Sequence, residues 1–130
     1  MSSYKPENYN SLSPYLIVDN AQDLVDLLIN IFNATELRKM FREDGKIKHV
    51  EVKIDDSILM ISDSTADYKA IPTILHLYVP DVDKTFDKAI QLGCEIIERP
   101  ITKPGEGDKR GSFYDNAGNS AVEMRADNSY

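Results

Sequence analysis

LHLYVPDVDKTFDKAIQLGC, residues 75–94, opens with alternating apolar residues, breaks at Pro80-Asp81, and continues with apolar residues at helical spacing. Leu75, Leu77 and Val79 fall on one face of a strand, and Ile74, His76 and Tyr78 fall on the other. Val82, Phe86, Ala89 and Ile90 then form the greasy stripe of a helix, which Gly93 ends. The same outline occurs earlier, in YLIVDNAQDLVDLLINIFNA at residues 15–34. An offset of 61 residues pairs Val18 with Val79, Val25 with Phe86, Asp26 with Asp87 and Ile29 with Ile90, and Asp55 meets Asp115 at an offset of 60. A loop absorbs the slip of one. Two modules of one plan are predicted.

Working outward, Ser13 to Val18 reads as a strand, with Leu16 and Val18 on one face and Tyr15 and Ile17 on the other. Asp19-Asn20 offers capping oxygens to a helix whose Leu24, Leu27, Leu28, Ile31 and Phe32 recur at helical spacing. Glu36 to Phe41 is a further strand, and Glu43 to Gly45 a turn. The clearest alternation is KHVEVKI, which sends Val50, Val52 and Ile54 to one side and His49, Glu51 and Lys53 to the other. Ser57 to Ile61 is apolar enough for a buried strand. After a polar linker ending at Pro72, the order repeats: Glu95 to Glu98, Arg110 to Tyr114 and Ser120 to Met124 are strands, Pro100 to Gly107 is a loop, and DNAGN is a turn. The expected organisation is one α+β domain over 1–130, with module one over about 12–63, a linker over about 64–72 and module two over about 73–125.

At 130 residues and 14.7 kDa, with 42% hydrophobic content, the chain can bury a continuous core. No stretch reaches the roughly 20 apolar residues that span a bilayer. The start MSSYKPENYN has neither a basic nor an apolar leader region. A soluble, cytoplasmic protein is expected. The net charge of −7 repels nucleic acid and anionic membranes, so neither is an expected partner. Cys94 stands alone, excludes an internal disulfide, and reads as a small packed hydrophobe.

Four segments, YLIVDNAQDLVD, GKIKHVEVKIDDSILMISD, LHLYVPDVDKTFDKAIQLGCEI and GDKRGSFYDNAGNSAVEM, together resemble the vicinal oxygen chelate superfamily. That family contains glyoxalase I, bleomycin-resistance and fosfomycin-resistance proteins, and extradiol dioxygenases. The resemblance runs from about Leu12 to Met124. It implies two βαβββ modules whose eight strands form an incomplete barrel around a cavity, with helices outside and subunits paired as homodimers.

The resemblance also implies a divalent metal held by His, Gln or Glu on equivalent strands. Only one of the four implied ligand positions carries a competent residue in register, Glu51. The others fall on Ser13, Ile74 and Val122, with His76 two residues beyond Ile74 and Glu123 one residue out of step. No cofactor is therefore expected. The alternative is an unorthodox metal site of His49, Glu51 and His76.

The expected ligand-binding cavity is lined by Tyr15, His49, Glu51, Ile74, His76, Tyr78, Lys109 and Phe113. Within it Glu51 is the candidate catalytic base, Lys109 the cation that the family's GDRYG arginine supplies, and Phe113 and Tyr15 flat walls. The resulting function is metal-free binding of a small organic molecule by a homodimer. The alternatives are a metal-dependent lyase, isomerase or dioxygenase, and a scaffold whose cavity is filled by side chains. GEGDKRG lacks the ending of a phosphate-binding loop, and no CxxC occurs.

Overall fold

The computed structural model describes residues 4–102, 104–105, 107–115 and, in its backbone, the strand 121–127. The chain divides into two compact units, Met1–Ile71 and Pro72–Tyr130. The first runs β1 (Tyr15–Val18), α1 (Ala21–Phe32), β2 (Thr35–Phe41), β3 (Ile47–Ile54) and β4 (Ser57–Asp63). The second runs β5 (Ile74–Tyr78), α2 (Val82–Gln91), β6 (Glu95–Thr102), β7 (Asp108–Tyr114) and β8 (Ala121–Asp127). Each unit is a βαβββ module, and its four strands form their own sheet, in the orders β1-β4-β3-β2 and β5-β8-β7-β6. In both, the first strand pairs in parallel with the last, and the remaining pairs are antiparallel. The duplicated plan is thus present strand for strand.

The alternation of β3 decides which face of the first sheet meets α1. Val50 pairs with Ile61 and Val52 with Leu59, while Ile61 pairs with Leu16 on β1, so these residues share a face. All of them are buried, together with Ala21, Leu24, Val25, Leu27, Leu28 and Ile31 of α1. Each fully buried aliphatic side chain contributes roughly 1.5–3 kcal/mol, which makes this seam the main support of the unit. Asn33 ends the helix in the left-handed region at φ 55°, where asparagine is tolerated.

The start of α1 departs from expectation. Asn20 makes no side-chain capping bond. Asp63 caps the helix instead: it lies beside Val18 in the parallel pairing, and its Oδ1 accepts the Ala21 N–H at 2.8 Å. Its Oδ2 accepts the Ile47 N–H at 2.6 Å, so one buried carboxylate joins α1, β3 and β4. Asp19 serves the linker, accepting the Ser64 hydroxyl at 2.7 Å.

In the second unit the cap is local. Asp81 accepts the Lys84 N–H at 3.0 Å, and α2 buries Val82, Phe86 and Ala89. The helix ends before Gly93, at φ 93°, and Cys94 is buried just beyond. The strand expected over Glu95 to Glu98 continues to Thr102, through Pro100 in what was expected to be a loop. The sheet tolerates this because β6 is an edge strand and its pairing is irregular between Glu98 and Ile101. Gly111 answers Pro100: a Cβ there would lie 3.1 Å from Pro100 Cγ and 3.2 Å from its nitrogen. The DNAGN turn lies, after Asp115, outside the described residues.

Candidate functional site

The face of the first sheet turned away from α1 carries a polar chain. Glu51 pairs with Met60, Met60 with Tyr15, and Arg38 with Glu51, so β1, β2, β3 and β4 all present residues to this side. Tyr9, from the segment before β1, donates its hydroxyl to Glu51 Oε1 at 2.5 Å. His49 Nε2 meets Glu51 Oε2 at 2.8 Å, and His49 Nδ1 lies 3.4 Å from the Tyr15 hydroxyl. The Tyr15 and His49 rings are tilted, with centroids 5.8 Å apart.

Glu51 is only 4% exposed. Burial pushes its pKa up, but the hydrogen bonds from Tyr9 and His49, with the charges of His49 and Arg38, outweigh that and hold it below the ordinary 4.5. The Tyr9 phenol is pushed above its ordinary 10.0, chiefly by the bond to Glu51, with burial and the Glu51 charge acting in the same sense against Arg38. An ionised carboxylate can only accept, so Nε2 of His49 carries a proton. Nδ1 then faces the half-exposed Tyr15, accepting in the neutral imidazole and donating in the charged one. The arrangement is a carboxylate that orients an imidazole and receives a phenol.

Tyr15, His49 and Glu51 are therefore brought together as expected for one face, joined by Tyr9 and Arg38, which sequence reasoning missed. Tyr9 sits 42 positions from Glu51 in a polar segment without periodicity, so no sequence signal marks it. Arg38 could have been found from the pairing of β2 with β3, had the bulge between Glu36 and Arg38 been known.

In the second unit Ile74, His76 and Tyr78 share the exposed face of β5. His76 packs edge-on to Tyr78 with ring centroids 5.0 Å apart. Lys109 and Phe113 do not join them. Phe113 pairs with Val122, which pairs with Leu75, so Phe113 lies on the α2 side of the sheet and is fully buried. Lys109 has the same parity, and its ammonium reaches Asp83 of α2 at 2.6 Å. The two-residue period of β7 fixes both corrections: the face shared with His76 passes through Ser112 instead.

Of the positions where the resemblance implies metal ligands, only Glu51 offers a carboxylate or imidazole among the described residues. Ser13 precedes β1 with a neutral hydroxyl, Ile74 offers no donor, and each oxygen of Glu51 accepts one hydrogen bond. The side chains of Val122 and Glu123 lie outside the described residues. Among the described residues no group of three His, Cys, Asp or Glu side chains is placed to hold an ion, short of the three protein ligands of a catalytic zinc site. Nor is any described helix long and apolar enough to cross a membrane. A hollow of about 310 Å³ at the start of α1, lined by Asp19, Gln22, Phe41 and Lys46 among others, contains none of the expected site residues.

A family model described as Glyoxalase/Bleomycin resistance protein/Dioxygenase superfamily matches residues 10–122. Uncharacterised proteins of Mycobacterium bovis and Mycobacterium tuberculosis are 30% identical over 98 residues, 67% of this chain. The matched stretch spans 64% and 58% of their respective lengths, so the chain covers less than two thirds of either. TioX from Micromonospora sp. ML1 is similar in structure, with a TM-score of 0.75 at 20% identity, covering 91% of this chain and 98% of that one. The fosfomycin resistance protein FosX from Listeria monocytogenes, complexed with Mn(II) and sulfate, has a TM-score of 0.69 at 21% identity, covering 90% and 91%. At such identities these structures establish the fold alone.

Proposed function

The chain belongs to the glyoxalase/bleomycin resistance protein/dioxygenase superfamily, and from that premise we propose that it binds a small organic molecule at the polar face of its first sheet, without a catalytic metal. The observation that carries this reading is the isolation of Glu51: Ser13 and Ile74, the other implied ligand positions among the described residues, offer neither a carboxylate nor an imidazole. Glu51 itself holds one hydrogen bond on each oxygen, from Tyr9 and from His49, and is thereby fixed as the anchor of the polar face. At the rim, His49 Nδ1 and the half-exposed Tyr15 ring offer one polar contact and one flat wall, the pairing that small-molecule sites use.

A second copy of the chain is part of the proposal. Edge strands β2 and β6 expose Leu37, Met40 and Phe41, and Ile96, Ile97 and Ile101, and their free edges are where a copy can pair.

Protein purified without chelator and assayed for manganese, zinc, nickel and iron is expected to carry no stoichiometric metal. A panel of small aromatic compounds is expected to raise its melting temperature, and Glu51→Gln to lose that response. A stoichiometric metal that disappears in Glu51→Gln overturns the reading.

A further inference from the structure

Tyr9 does not belong to the sheet it serves. Its segment, residues 4–14, precedes β1 and is folded on itself, with the Tyr9 N–H on the Pro6 carbonyl at 3.3 Å and the Lys5 ammonium on the Ser11 hydroxyl at 3.3 Å. Asn8, next to Tyr9, turns through the left-handed region at φ 69°. Tyr4 and Leu12 are 92% and 85% exposed, so the segment buries little apolar surface at either end. Yet it delivers an aromatic hydroxyl to a carboxylate that is 4% exposed, across 42 positions of sequence.

We infer that Tyr9 is an intramolecular occupant of the site, and that the ligands of this chain are neutral phenol-type hydroxyl donors which take the place of its hydroxyl on Glu51. The inference rests on the small-molecule reading above and names the chemical class. Three observations support it. Glu51 Oε1 is an acceptor already shaped to an aromatic O–H. Glu51 Oε1 needs a donor, and an ionised carboxylate brings no O–H to donate, so a neutral hydroxyl is favoured. His49 Nδ1 stands beside Glu51 on the same strand face, where a second hydroxyl of a ligand, which can both donate and accept, can reach it.

A competing internal group lowers apparent affinity by the fraction of molecules in which it is displaced. Tyr9→Phe removes the hydroxyl and keeps the ring, so the variant tests competition without opening a large hole. In nuclear magnetic resonance titrations phenol is expected to bind Tyr9→Phe roughly tenfold more tightly than the wild type, whereas anisole, which has no O–H, binds both alike. In the wild type, saturating phenol is expected to remove the downfield hydroxyl proton of Tyr9. Phenol affinity that is equal or weaker in Tyr9→Phe, or phenol binding that leaves the Tyr9 proton in place, overturns the inference. A panel in which other small molecules bind and phenol does not sinks this inference alone. A resident metal sinks the reading beneath it.

Discussion

The two modules have one topology and two ways of fastening it. In the first, the buried polar groups are tied over long stretches of sequence: Asp63 caps α1 from the end of β4, and Tyr9 meets Glu51 from outside the sheet. In the second, Asp81 caps α2 from within three residues, and the polar residues of β5 show a ring contact within their own strand. The two modules share a strand order and differ in these polar contacts. The module tied by Asp63 and Tyr9 is the one that holds the candidate site.

The largest effect should come from the caps. Asp63→Ala removes acceptors from two backbone N–H groups beside a buried position, and is expected to cost about 3 kcal/mol in urea unfolding. Its counterpart Asp81→Ala removes one exposed cap and should cost only about 1 kcal/mol. Equal costs would erase the contrast between the modules.

A smaller effect should follow acid. Because the folded-state pKa of Glu51 lies below its ordinary 4.5, its contribution to stability is complete above about that pH and is lost as pH falls through the folded value. Glu51→Gln should be less stable than wild type at neutral pH, and the gap should narrow through that acid window. A gap that does not change with pH would remove the charge from the account of the site. The smallest effect belongs to the second module: Lys109→Ala breaks a solvent-screened pair with Asp83 and should change stability by less than about 0.5 kcal/mol. A larger loss would mean that this module, too, depends on a polar tie.

Much of the fold was legible because periodicity is local. KHVEVKI announces a two-faced strand without knowledge of its neighbours, and the stripe of Leu24, Leu27, Leu28 and Ile31 announces a helix. That logic also placed His49 and Glu51 on one side. It failed where the answer depends on a partner strand. Asp19 and Asn20 looked like the cap because they adjoin the helix, but the parallel pairing brings Asp63 to the same place. Phe113 and Lys109 were assigned to the face of His76 before the register of β7 with β8 was known. Pro100 looked like a strand terminator because its edge position is a property of the sheet, not of the local sequence.

The parallel pairing of first with last strand also has a consequence for synthesis. During translation, Tyr15–Val18 emerges long before Asp63, the residue that completes both its pairing and the cap of α1. The nascent first module can close only when its final strand has left the ribosome, because that strand supplies both the partner of β1 and the acceptor at the start of α1.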